Sequence, residues 1–509
     1  MAAPRSELLN EQNFEKQIPV AIEPKDTSLH GLTQNQAPRQ GVMVPIVDEV
    51  KVLRKMDIRI IPILAVLFLL SYLDRSNIGN AKIQGMTEDL KITSEQFNLC
   101  LTVFYFTYAA VEIPSNILLK KLKPSVWFAS IMIAWGSVTT LIGVVQNYHG
   151  LLIARIFLGI TEGGMYPGIV YYVTQFYSRR DAQFRQALCF SSVALAGAFS
   201  GLLAYAIGKM DGVGGLAGWR WIFILEGILT VVVACCAYFW IIDSPEAAGF
   251  LTKEEREWVI SRTVFKPINA EGQAIEQDDE FQWKYVKDAL TDWQVLTAMF
   301  MNMGLLVPLY GISVFLPTII RDLGYRSTTA QLMTVPVYGL STVLSLGAAW
   351  IVDRKEQRSP FLIGLILCTM AGYVITIAGA AKGIAGVTYA GVFVVVSGIY
   401  TAFPGNIAWI SNNVAGNYKR ACAMAIHVGF GNMGGAMSSN FYRARDSPKF
   451  LLGHALSFGF LGVAMMAVLA LRLGYQRVNK QRETQTLDGY SDLELSRMGD
   501  KAPNFKYSL

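Results

Sequence analysis

Two pairs of opposite charges sit where charge is costly. Asp74 and Arg75 are adjacent near the end of one long apolar stretch, and Arg155 and Glu162 lie seven residues apart inside another. An ionised side chain at the centre of a bilayer costs roughly 3 kcal/mol or more, so such residues usually mark a path for a proton or a charged solute. Seven residues on a helix return to nearly the same face, about 10 Å along the axis, so Arg155 and Glu162 can line one cavity. A guanidinium fork matches a carboxylate with two parallel hydrogen bonds. A carboxyl in a partly dry cavity can exchange a proton near neutral pH. The four residues could therefore hold an organic anion and carry protons. A purely structural reading pairs Asp74 with Arg155 and Glu162 with Arg75 as ion pairs that tie helices together. The two readings are compatible, because an arginine released when its carboxylate partner takes a proton is free to hold an anion.

Positioning these charges requires membrane helices, and the composition supplies them. Of 509 residues, 52% are hydrophobic and 16% charged, with mean hydropathy +0.36, more apolar than a soluble domain needs for its core. Twelve apolar segments near the roughly 20 residues that a spanning helix requires fall at 60–77, 97–119, 126–145, 151–174, 187–207 and 219–242, then at 293–319, 330–352, 361–379, 387–409, 421–440 and 452–471. The expected fold class is an all-α membrane protein with twelve transmembrane helices in two six-helix halves, 57–242 and 293–477. The polar interval 243–292 reads as a cytoplasmic connector, with the acidic run Glu276, Asp278, Asp279, Glu280 and a short amphipathic helix over 252–262. Residues 1–56, rich in Gln, Pro, Asn and charge, read as a disordered tail without the apolar core of a cleavable signal. Residues 478–509 read as a second cytoplasmic tail.

Orientation follows from the basic residues of the short loops. Lys51, Arg54, Lys55 and Arg59, then Lys120, Lys121 and Lys123, then Arg179, Arg180 and Arg185 fall on one side, and Arg354, Lys355, Arg358, Lys419, Arg420, Arg472 and Arg477 continue the pattern. Both termini are expected in the cytoplasm, and the protein in the plasma membrane. One late loop, with Arg443, Arg445 and Lys449, dissents. The net charge of +6 then reflects topology, and no nucleic-acid partner is expected.

Enzyme chemistry finds little support. Six cysteines show no paired or ligand spacing, and the four histidines, His30, His149, His427 and His454, are scattered, so neither a disulfide framework nor a metal centre is expected. No P-loop, dinucleotide fingerprint or catalytic triad order stands in a credible context, and no cofactor is expected.

Four motifs carry a resemblance. The run 155–168, Arg-Ile-Phe-Leu-Gly-Ile-Thr-Glu-Gly-Gly-Met-Tyr-Pro-Gly, resembles the fourth-helix signature of the major facilitator superfamily in its anion:cation symporter branch. Leu73-Asp74-Arg75-Ser76-Asn77-Ile78-Gly79-Asn80-Ala81 is similar to that branch's first helix. Glu112-Ile-Pro114-Ser-Asn116 and Gly218-Trp219-Arg220-Trp221 with Glu226-Gly227 are similar to the fungal allantoate, nicotinate and pantothenate permeases. The resemblance spans about residues 51–477. It implies a major facilitator fold with a central cavity that opens alternately to each side, acting generally as a monomer in the lipid bilayer. It further implies Asp74 and Glu162 as proton carriers, with Arg75 and Arg155 binding the substrate carboxylate or governing coupling. The gating latch usual after the second helix is incomplete, because 115–123 carries no acid; its second-half copy, Asp353, Arg354 and Arg358, is better kept.

The second half has fewer intramembrane charges. Asn302, Tyr310, Tyr338, Tyr400, Asn406, Trp409 and Asn432 are candidate cavity walls that could hydrogen-bond or stack a substrate ring, although each could equally pack the core. His427, Glu112 and Glu226 are secondary candidates for proton exchange, and Glu226 could instead pair with Arg220 near the outer interface. The function expected is proton-coupled uptake of a small organic anion such as nicotinate, pantothenate or allantoate. The membrane potential opposes anion entry by about 2.3 kcal/mol per charge per 100 mV, so two protons per monoanion would make uptake favourable. Alternatives are an exporter or organellar transporter of an acidic metabolite, and a nutrient sensor without flux.

Overall fold

A computed structural model describes residues 47–509 apart from 120, 264–282, 356, 416, 486–489, 491–493 and 496–497. The acidic run of the connector and most of the first tail lie outside the described residues. Among the described residues the secondary structure is helical. In the first half these are α1 (Glu49–Ile83), α2 (Met86–Asp89), α3 (Ser94–Leu119), α4 (Pro124–Ile142), α5 (Tyr148–Glu162), α6 (Met165–Phe176), α7 (Arg179–Ile207) and α8 (Gly218–Trp240). The connector holds α9 (Lys253–Thr263) and α10 (Trp283–Thr291). The second half comprises α11 (Trp293–Asp322), α12 (Ser327–Lys355), α13 (Ser359–Lys382), α14 (Ala385–Asn413), α15 (Asn417–Ser438) and α16 (Leu451–Arg482).

Nine described helices are long and apolar enough to cross a membrane: α1, α4, α7, α8, α11, α12, α13, α14 and α16. The other three expected crossings fall on α3, on α15 and on the interrupted pair α5 and α6. The segment read as one helix over 151–174 breaks at Gly163–Gly164, where two residues of low helix propensity precede Pro167 in the first turn of α6. The chain enters α1 earlier than expected, at Glu49 inside the stretch read as tail, because Asp48 caps the helix by accepting from the Lys51 amide at 3.2 Å.

For reference, α1 starts and α16 ends on one face of the bundle, here the tail face; the opposite side is the far face. Hydrogen bonds between the two halves include Gln84 to Gln331 (3.2 Å), Gln331 to the Asn80 carbonyl (3.4 Å) and Asn440 to Thr102 (3.0 Å), all toward the far face, and Asn432 to Glu112 (3.3 Å) nearer the middle. Close approach of α1 to α11 depends on Gly79, where a Cβ would lie 2.2 Å from the Val314 carbonyl oxygen.

The second tail is partly packed against the bundle. Residues 498–509 fold back onto the tail face of the second half. Tyr507 stacks on Tyr475 with ring centroids 4.6 Å apart and exchanges two 2.9 Å hydrogen bonds with Asn479. Ser508 exchanges two with Asn413, and its carbonyl accepts from Trp409 at 2.9 Å. Lys419 bridges Asp292 at 2.6 Å and Asp500 at 2.8 Å, both carboxylates being buried. Aromatic and amide side chains at the ends of α14 and α16 thus give the tail partners that water would otherwise have to supply.

Candidate functional site

α1 presents its polar run, Ser71 to Asn80, to the interior of the bundle, where every residue of it is buried. α5 approaches α3 closely at Gly159, where a Cβ would lie 2.1 Å from Thr107 Oγ1 and 2.5 Å from the Phe104 carbonyl oxygen. That approach brings Arg155 and Glu162, each about one turn from Gly159 on either side, against α1 and α3.

The expected charges converge. Arg75 Nε donates to Glu162 Oε1 at 2.7 Å, and Ser71 Oγ donates to the same oxygen at 2.6 Å. The Arg75 guanidinium also stacks against Tyr108 at 4.7 Å and Tyr72 at 4.8 Å, with Phe104 at 5.7 Å, a desolvated setting in which cation–π attraction is worth about 2 kcal/mol. Glu162 with Arg75 is therefore an ion pair, as the structural reading anticipated. Asp74 with Arg155 is not one of the ion pairs among the described residues. Asp74 Oδ2 instead accepts from Trp135 Nε1 of α4 at 2.6 Å, and its Oδ1 has no hydrogen-bond partner among the described residues. Arg155 and Glu162 both lie within electrostatic reach of Asp74.

Arg155 differs from Arg75. It is 2% exposed, and its Nε and Nη2 have no hydrogen-bond partner among the described residues. Its ionisable neighbours are Cys100, Tyr105, Glu162 and Asp74, and the Phe104 ring lies 5.9 Å away. A buried guanidinium with open donors is expensive unless an anion takes them.

The remaining candidates separate into distinct groups. Glu112 accepts from Asn432, whose Oδ1 accepts from Tyr310 at 2.8 Å, so these three join α3, α15 and α11. Tyr310 also packs on Tyr105 with centroids 4.9 Å apart. Tyr338 and Tyr400 meet edge to face at 5.6 Å. Asn302 accepts from Asn406 at 2.8 Å and donates to the His427 carbonyl at 2.8 Å, and all three are buried, so this set knits α11, α14 and α15 together. Trp409 belongs to the tail contact and not to a cavity wall, because its indole N–H is held by Ser508. Glu226 does not pair with Arg220: it accepts from Asn77 Nδ2, while Arg220 forms an ion pair with Asp89 at 2.9 Å. Six residues separate Arg220 from Glu226 along α8, so the arginine stays with the loops at the far face and the acid lies deeper. Of the gating candidates, Asp353 and Arg354 fall in the last turn of α12, their side chains outside those described, and the Arg358 amide donates to the Leu509 carbonyl at 2.8 Å.

Ser71 and Trp135 were not anticipated. Ser71 had a signal, standing one helical turn before Arg75 on the same face of α1. Trp135 had none, since α4 carries no charge to draw attention to it.

The comparisons with known proteins agree with this architecture. The family model described as Major Facilitator Superfamily matches residues 64–439. The chain is 34% identical over 467 residues to the high-affinity nicotinic acid transporter of Saccharomyces cerevisiae, covering 90% of this chain and 85% of that one. It is 36% identical over 461 residues to an uncharacterised transporter of Schizosaccharomyces pombe, covering 91% and 90%. Among solved structures, a proton:xylose symporter superposes with TM-score 0.61 at 16% identity, over 84% of this chain and 96% of that one, which speaks to the fold alone. The chain is a multi-pass membrane transporter that belongs to the Major Facilitator Superfamily.

Proposed function

We propose that this transporter takes up a small organic anion, a monocarboxylate of the nicotinate class, together with protons. The observation that carries this reading is the asymmetry of the two buried arginines. Arg75 has its carboxylate in Glu162, whereas Arg155 keeps two donor atoms open in a buried site. A substrate carboxylate is the group whose geometry fits that fork. Protonation of Glu162 would then free Arg75 from its ion pair, leaving two cations for one anion, with the rings of Tyr72, Tyr108 and Phe104 nearby for a flat substrate. Proton binding and anion binding are coupled because each removes the other's electrostatic cost. The nicotinic acid transporter of Saccharomyces cerevisiae, similar along most of the chain, supports the substrate class. The basic residues Arg54, Lys55, Arg185 and Lys419 on the tail face support placing both termini in the cytoplasm, and uptake from outside would place the protein in the plasma membrane.

The test is uptake of radiolabelled nicotinate, pantothenate and allantoate by cells expressing the unaltered chain, Glu162→Gln or Arg155→Ala, at outside pH 5 and 7.5. Acid-stimulated uptake of one of them, lost in both variants, is expected. Uptake that ignores pH and survives Arg155→Ala would refute the reading.

A further inference from the structure

A second polar path crosses the first half and reaches the second without touching Arg155 or Glu162. It begins at Glu226 on α8, which is 2% exposed and whose Oε1 has no partner among the described residues. Its other oxygen accepts from Asn77 Nδ2 of α1. Ser200 Oγ of α7 donates to Asn77 Oδ1 at 3.1 Å and accepts from Asn80 Nδ2 at 2.7 Å. The Asn80 carbonyl accepts from Gln331 Nε2 of α12 at 3.4 Å, and Gln331 Oε1 accepts from Gln84 at 3.2 Å. Asn77, Asn80, Ser200 and Gln331 are all buried. Simple packing would fill these positions with apolar side chains; a polar chain through a membrane interior, ending on an acid, is costly and usually serves function.

We infer that Glu226 is a further proton-binding residue, which sets the far-face contact between the two halves through Asn77, Ser200, Asn80 and Gln331. This rests on the reading of the chain as proton-coupled. As a carboxylate, Glu226 accepts from Asn77 in a charge-assisted hydrogen bond, about twice as strong as one to a neutral acceptor. Asn77 is thereby held where Ser200 and Asn80 can align with Gln331. When a proton from the far side binds the carboxylate, that bond loses its charge assistance and Asn77 can turn; the far-face contact loosens, and the same proton leaves on the tail face once the halves have exchanged positions. The ionisable neighbour is Asp74 of α1. α4, packed along α8, contains no ionisable side chain, and α7 contributes Ser200. Proton occupancy of Glu226 and Asp74 is thus expected to be linked.

The test needs no substrate. Asn440 Nδ2 donates to Thr102 Oγ1 at 3.0 Å across the same far-face contact, and neither residue belongs to the Glu226 path. The full chain carrying Thr102→Cys and Asn440→Cys, with its native cysteines replaced, is cross-linked with a short bifunctional thiol reagent between pH 5 and 8, with and without Glu226→Gln. The amide keeps the acceptor for Asn77 but cannot titrate, and thiol reactivity affects both chains equally. The ratio of cross-linking rates between the two is expected to change at least three-fold across this range, with the glutamate chain losing its advantage in acid. A constant ratio would overturn the inference. If the double-cysteine chain does not fold, melting temperatures of Glu226→Gln and the unaltered chain over the same range decide: diverging curves support titration, and parallel curves overturn it. Loss of acid-stimulated uptake in the unaltered chain would refute the parent reading while leaving this comparison intact.

Discussion

Arg155 and Asp74 ask for different substitutions because their partners differ. Arg155→Ala is expected to cut carboxylate transport efficiency roughly a hundred-fold, the equivalent of about 3 kcal/mol for a desolvated charge contact, while Arg155→Lys, which keeps the charge but loses the fork, is expected to cost about ten-fold; initial uptake rates over a range of substrate concentrations check both. Trp135→Phe removes the donor to Asp74 Oδ2. Because that donor stabilises the ionised carboxyl, its loss is expected to move the pH profile of uptake toward higher pH, by about one unit if the bond is worth about 1.5 kcal/mol. An unshifted profile would mean that Asp74 does not titrate during transport. At this scale the four charges were legible, since intramembrane Asp, Glu and Arg are rare and stand out in a string of residues. Their pairing was not. Whether Asp74 faces Arg155 or Trp135 depends on how α4 and α5 are placed around α1, and nothing local to either segment fixes that.

The site depends at the element scale on how closely α5 approaches α3. Gly159→Ala would place a methyl group against the Phe104 carbonyl as well as Thr107, so Thr107→Ala is not expected to rescue it. Overpacking of this kind costs about 1–3 kcal/mol. Transport is expected to fall at least ten-fold, with a lower melting temperature in detergent. Rescue by Thr107→Ala would contradict the geometry. The break between α5 and α6 was hidden in the sequence because Gly163 and Gly164 sit in a long, mostly apolar run, and glycines in membrane helices often allow close packing without ending the helix. The same ambiguity applies to Asn302 and Asn406: amide side chains on apolar helices suit a cavity wall and an interhelical hydrogen bond equally well, and here they bond to each other.

The folded-back tail changes the account of the whole molecule. Asp500, Asp292 and Lys419 join residues more than two hundred positions apart in the chain, and no pattern of hydrophobicity could announce such a contact. Asp500→Asn is expected to lower stability by about 2 kcal/mol, a few degrees in melting temperature. Burial alone would lower the proton affinity of Lys419, but the hydrogen bonds and charges of Asp292 and Asp500 outweigh it and hold the ammonium above the ordinary lysine range. A raised folded-state value stabilises the fold below the unfolded lysine value of about 10.4, and that stabilisation is lost only as pH climbs through the raised value. The difference in melting temperature between the unaltered chain and Asp500→Asn is therefore expected to stay constant from pH 6 to 9. A difference that vanishes within that window would contradict the assignment.

The most direct test of the central claim is proton movement with substrate. Purified protein is reconstituted in liposomes that enclose a pH-sensitive dye, and nicotinate is added outside with no imposed gradient. The account predicts acidification of the interior that requires nicotinate, saturates with it and is abolished by Glu162→Gln. Nicotinate accumulation with no acidification, or acidification that persists in Glu162→Gln, would contradict it.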